Sequence, residues 1–230
     1  MKSLTWSLLF FLLISYSGTL RSQDAAKVLD RVYGLDQTLC NGKKYTYFPP
    51  AGAKGHQYLL SQTFSNGSIT LNGKCYQDVY LNYDIFNQQL LLQFKSETIL
   101  RNTIEVSKAW LTGFSLGSMN FEFLDLEKEP RFFQVLGAGP VRILYFWRKN
   151  LDVDGSVGSF SLTFTRAVRD SYVFTNGQLK PFTSKRSLIK LFDAAHRPEI
   201  KSYLRKNKIK IRKASDQAIA EMITFIGNLK

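Results

Sequence analysis

From Lys43 to Phe182 the polarity of the side chains alternates with a period of two. Val79, Leu81 and Tyr83 alternate with Tyr80, Asn82 and Asp84, and Met119, Phe121 and Phe123 with Asn120 and Glu122. Val141, Ile143, Tyr145 and Trp147 share one face, and Phe160, Leu162 and Phe164 alternate with Ser161, Thr163 and Thr165. Successive side chains of a strand point to opposite faces, so the pattern predicts strands with one face buried and one wet. The runs are punctuated by Asn41-Gly42, Asn66-Gly67, Asn72-Gly73, Asp154-Gly155 and Asn176-Gly177, pairs that accept the positive φ angles of tight hairpin turns. The stretches between these signals are too short for crossover helices, which argues against parallel βαβ units.

Near Thr183 the period changes. Leu188, Leu191, Phe192 and Ala195 fall at i, i+3, i+4 and i+7 behind Ser184 as a cap, and Pro198 suits the first turn of a second helix carrying Ile200, Tyr203 and Leu204. Ser215 and Asp216 open a third, with Ile219, Met222, Ile223, Ile226 and Leu229 on one stripe. The expected fold is α+β: a predominantly antiparallel β meander, as a curved sheet, sandwich or partly open barrel, followed by short C-terminal helices. Outer-membrane barrels close with a strand and use lipid-facing strands of about ten residues, so the helical ending argues against one.

The first 22 residues have a different logic. Lys2 precedes an apolar run from Leu4 to Ile14, and small or polar residues follow as far as Ser22. That order predicts a secretory signal peptide, and a run of about eleven residues is too short to span a bilayer, which takes about twenty. The expected organisation is a leader at 1–22, an antiparallel β domain with a short helix near Ala25–Tyr33 at 23–182, and a basic helical segment at 183–230. Export places the chain in the periplasm, on the outer membrane or outside the cell, with no transmembrane anchor in the mature form. Losing Lys2 and Arg21 with the leader leaves 29 basic against 18 acidic residues, a net charge of +11. An exported cation of this size meets anionic lipid headgroups, acidic polysaccharide or an acidic envelope protein rather than nucleic acid. Hydrophobic content of 44% and 18 Phe with 11 Tyr exclude a disordered chain. Cys40 and Cys75 leave two readings open, a disulfide or two small apolar side chains, since pairing needs Cα atoms within about 7 Å.

Several segments have a familiar order: Leu39-Cys40-Asn41-Gly42-Lys43-Lys44-Tyr45, Gly55-His56-Gln57-Tyr58-Leu59, Gly67-Ser68-Ile69 with Asn72-Gly73-Lys74-Cys75-Tyr76, and Val79 to Phe86. With Phe132-Phe133-Gln134-Val135-Leu136 and the Ser184 to Leu188 helix start, they resemble an uncharacterised family of secreted Bacteroidetes proteins over nearly the whole mature chain. The resemblance implies a bacterial exported protein and no particular activity. The family pattern does not depend on cysteine at either position, which weighs against a required disulfide.

Candidate chemistry is sparse. His56 and His196 are the only histidines, and neither has a neighbouring nucleophile, carboxylate or ligand set. Asp152-Val153-Asp154-Gly155-Ser156 resembles the start of a calcium loop, but the twelfth position falls on Thr163, so a hairpin turn is the better reading. Asp78 and Asp84 share a strand face at a separation of about 20 Å, too far for paired-carboxylate hydrolysis, and Asp84 is expected to bond or cap a strand end. Asn66-Gly67-Ser68 has the form of a glycosylation sequon and reads more simply as a turn. No G-x-S-x-G elbow, P-loop or H-E-x-x-H motif is present. No cofactor or metal is expected.

The strongest surface feature is the basic run Lys201, Arg205, Lys206, Lys208, Lys210, Arg212 and Lys213. Each cation contributes on the order of 1 kcal/mol near an acidic membrane. The plainer reading, a solvated linker and helix face, is preferred, because no aromatic ring is interleaved between Arg205 and Lys213. The leading functional expectation is a non-enzymatic exported protein that binds or builds at the cell envelope. Behind it stand a carrier of an apolar ligand in a Phe- and Tyr-lined cavity under a curved sheet, and an enzyme with a dispersed site.

Overall fold

The structure, a computed structural model, describes residues 36–95, 101–126, 129–156 and 159–229. It divides into two units, Met1–Asn41 and Gly42–Lys230. The expected leader and the helix near Ala25–Tyr33 lie outside the described residues. What is described of the first unit is a turn in which the Asp36 carboxylate accepts the N–H groups of Thr38 and Leu39, while Cys40 donates its N–H to the Asp36 carbonyl at 2.9 Å.

The second unit is built on thirteen described strands: β1 (Gly42–Lys44), β2 (Ser65–Leu71), β3 (Lys74–Asp84), β4 (Gln89–Lys95), β5 (Arg101–Val106), β6 (Leu111–Leu116), β7 (Met119–Leu126), β8 (Glu129–Leu136), β9 (Val141–Arg148), β10 (Leu151–Ser156), β11 (Ser159–Phe164), β12 (Val168–Thr175) and β13 (Gln178–Phe182). Three helices follow: α1 (Lys185–Lys190), α2 (Arg197–Lys206) and α3 (Asp216–Gly227). Eleven strands form one antiparallel sheet in the order β1-β5-β4-β3-β2-β6-β7-β8-β9-β12-β13, and β10 and β11 form a separate hairpin. The sheet is open, with β1 and β13 at its edges.

Two of the Asn-Gly pairs are the tight turns their composition predicts. Asn72-Gly73 joins Leu71 to its partner Lys74, Asn176-Gly177 joins Thr175 to its partner Gln178, and both asparagines have positive φ, 49° and 51°. The other three are not turns. Gly42 starts β1, and Asp154 and Gly155 lie inside β10 opposite Ser161 and Phe160. Asn66-Gly67 lies inside β2, where a Cβ on Gly67 would collide with the Ser115 carbonyl of β6; its glycine answers a close approach of backbones. The register of β2 on β3 shifts between Gly67 and Ile69, and Asp78, at φ 56°, occupies the resulting bulge.

The sheet curls on itself. Tyr83 on β3 and Phe132 on β8 are four strand spacings apart, about 19 Å in a flat sheet, yet their ring centroids lie 5.4 Å apart. Phe114 and Phe121 complete the cluster, stacked on each other at 4.6 Å and edge-on to Tyr83 at 5.5 Å. These rings fill the concave side with carbon in the offset and edge geometries that aromatic quadrupoles favour. The same face, where it continues over β8, β9, β12 and β13, is covered by the helices: Leu136, Ile143, Tyr145, Val173 and Phe182 meet Leu188, Ile200, Leu204, Ile219, Met222 and Ile223. Strand β9 is buried on both faces, with Ile143 beneath the helices and Leu144 on the opposite face each at 0% exposure.

Candidate functional site: a basic groove on the helical cap

The cap residues sort by periodicity into an apolar underside and a basic outer surface. In α1, Ser184 and Ser187 form a reciprocal capping box, and Leu188 and Ile189 face the core. That leaves Lys185, Arg186 and Lys190 exposed on the outside of the same turns. Sequence periodicity extends this helix to Ala195, but it stops at Lys190: Leu191 caps it through tight bonds to Leu188 and Ile189 carbonyls, and the Arg197 guanidinium donates from Nε to the Phe192 carbonyl at 2.9 Å and from Nη2 to the Lys190 carbonyl at 3.1 Å. In α2, Ile200 and Leu204 face inward while Lys201 and Arg205 project. Ile209 and Ile211 are buried at 8% and 7% exposure, so Lys208, Lys210 and Arg212 face water by simple alternation.

Between these elements runs a groove of about 1040 Å³. Eight cations line it: Lys185, Arg186 and Lys190 from α1, Arg197, Lys201 and Arg205 from α2, and Lys208 and Lys210 after it. Its floor is Ile189, Pro198, Leu204 and Ile209, and Ser202 supplies a hydroxyl. Every charged side chain in the lining is positive. Lys201 and Arg205 stand at i and i+4, a spacing at which like charges on a helix repel. The ion pairs Arg142–Glu122, Arg148–Asp170 and Arg169–Asp216 lie on other elements.

Four of the seven residues in the basic run, Lys201, Arg205, Lys208 and Lys210, thus line the groove. Lys206 and Lys213 are exposed outside its lining, and Arg212 lines a separate pocket of about 470 Å³ with Arg169, Tyr172 and Phe182. The residues of the run are exposed, and packing adds to them Lys185, Arg186 and Lys190 from α1 and Arg197 from the start of α2. Their signal was present as cations at helical spacing opposite Leu188 and Ile189; what joins them to the run is the packing of α1 beside α2.

The remaining candidates have structural roles. Asp84 is fully buried and caps the β3–β4 turn: its carboxylate accepts from the Phe86 N–H at 3.0 Å, the Asn87 N–H and Nδ2 at 2.8 Å each, and the Tyr45 hydroxyl at 2.7 Å. Burial first, then that bond to Asp84, pushes the Tyr45 hydroxyl far above the ordinary tyrosine range. Asp78 is exposed in the bulge and accepts from Asn66 Nδ2 at 3.2 Å. His56 accepts the Tyr58 N–H on Nδ1 at 3.2 Å, and burial, with Lys149 beside it, lowers its pKa. The Lys149 ammonium donates to the carbonyls of His56 and Tyr58 at 2.8 and 2.7 Å, and burial lowers its pKa too. His196 occupies the cap position of α2 without a side-chain cap bond.

Asp152 to Ser156 are strand β10 rather than a turn, with Asp152 opposite Thr163, an extended geometry that does not wrap a calcium ion. Ser68 of the sequon is likewise in β2, its hydroxyl 2.8 Å from that of Ser115. Cys40 belongs to the first unit and Cys75 to the second. Cys75 is exposed on β3 and its sulfur accepts from Gln77 Nε2 at 3.0 Å. Among the described residues no group of three or more His, Cys, Asp or Glu is placed to hold a metal ion, and no helix is long and apolar enough to cross a membrane. No family model, no curated protein and no solved structure matches the chain.

Proposed function

We propose that the protein is an exported, non-enzymatic binding protein of the bacterial cell envelope, and that its helical cap docks on anionic lipid. The observation that carries this reading is the groove in which eight cations surround an apolar floor. Export rests on the leader pattern and on the resemblance to secreted Bacteroidetes proteins. Lipid is favoured over acidic polysaccharide by the donor and acceptor inventory. Sugar hydroxyls require acceptors as well as donors, and lysine and arginine have no acceptor, so the side chains of the lining offer only Ser202. A phosphate diester accepts only, and its acyl carbons suit Ile189 and Ile209.

Co-sedimentation with vesicles tests this. The protein should pellet with phosphatidylglycerol vesicles and stay in solution with phosphatidylcholine, and raising salt should release it. Lys201→Glu or Lys208→Glu should weaken the interaction by about thirtyfold each, since reversal removes one attraction of about 1 kcal/mol and adds a repulsion of similar size. Lys206→Glu, outside the groove lining, should act less. Equal pelleting with neutral vesicles, or retention on an acidic polysaccharide without vesicle binding, would overturn the reading.

A further inference from the structure

Docking on a charged bilayer needs only exposed cations, and this site has more than that. It is concave, and its volume of about 1040 Å³ is that of a site for one small molecule. Ile189 and Leu204 from facing helices meet Ile209 beneath the cations, and the methylene stems of the lysines and arginines extend this apolar surface before their charged heads reach water. A free phosphate would use the charges and leave Pro198 and these stems uncovered. An uncharged acyl chain would cover the floor and leave the like charges of Lys201 and Arg205 unrelieved.

Lys208 adds an independent observation. Its φ is 53°, in the left-handed region where an L side chain crowds the backbone, and it occupies the position just past the α2 cap at which helices usually place glycine. A strained backbone under a side chain that lines a cavity points to a role for that side chain. Lys201 and Arg205 stand at i and i+4 on one face of α2, and Lys208, just past the helix cap, lines the same groove.

Building on the docking reading, we propose that the groove holds one molecule of an anionic phospholipid. Its phosphate lies among Lys201, Arg205 and Lys208, and its acyl carbons lie on Pro198 and the lysine and arginine stems above Ile189, Leu204 and Ile209. Calorimetric titration with dihexanoyl phosphatidate below its micelle concentration tests this with no bilayer present, alongside glycerol 3-phosphate and inorganic phosphate. One equivalent of the lipid should bind, about tenfold or more tighter than glycerol 3-phosphate, because only the lipid buries carbon on the floor. Lys208→Gly should weaken it about fivefold, with no loss in the urea midpoint, since glycine accepts the same backbone angles. Equal affinity for all three ligands overturns the lipid assignment in favour of a phosphate site. Absence of saturable one-to-one binding overturns the proposal even where anionic vesicles still pellet the protein, an outcome that leaves docking intact. Monomer binding without vesicle binding does the reverse.

Discussion

At the scale of the residue, Lys208 and Asp84 show two ways a polar side chain can be constrained. Asp84 gives up all contact with water and recovers it through four donors within 3.0 Å, so its position at the end of an alternating strand before Asn87 was enough to foresee a turn cap. Lys208 was visible only as one more cation in a run; that it is held at φ 53° is a property of the chain reversal after α2. Replacing it with glycine removes the clash of Cβ with the backbone, a saving only partly offset by the greater freedom of unfolded glycine. Lys208→Gly should therefore raise stability by about 0.5–1 kcal/mol, read as a higher urea midpoint with an unchanged slope. A lower midpoint would mean that the lysine contributes to the fold.

At the scale of the element, helix patterning was legible because an amphipathic stripe is a local property. Ile219, Met222, Ile223 and Ile226 of α3 are all buried, as their spacing requires. The strand signals were equally local, and Asn72-Gly73 and Asn176-Gly177 became the turns their φ preferences demand. Asn66-Gly67 did not, because the same dipeptide also suits a place where β6 backbone presses on β2, and no local rule separates the two cases. The joint between sheet and cap depends on another such approach. Gly137, after β8, has φ 85°, and a Cβ there would lie 2.7 Å from Cγ2 of the buried Ile223 in α3. Gly137→Ala should cost about 2–4 kcal/mol by combining backbone strain with overpacking. Urea unfolding checks it, and restoration by the smaller Ile223→Val would place the clash on α3.

At the scale of the molecule, the curl of the sheet decides what the interior is. Four rings from β3, β6, β7 and β8 close on one another, so these Phe and Tyr side chains pack against each other under the sheet. Phe132, at 1% exposure, touches Tyr83, Phe114 and Phe123 and bridges strands distant in the sheet. Phe132→Ala should cost about 3–5 kcal/mol in equilibrium unfolding, because both halves of the curl lose the same partner. A loss below about 1 kcal/mol would show that the curl is held elsewhere. The sequence by itself determined the strands, two of the turns, the amphipathic helices and the cationic surplus, because each depends on residues a few positions apart. Tertiary structure alone decided the place of β2 between β3 and β6, the curl, and the union of α1 and α2 cations over one apolar floor. Those features arise from contacts between residues far apart in the chain, where periodicity carries no information and packing chooses the partner.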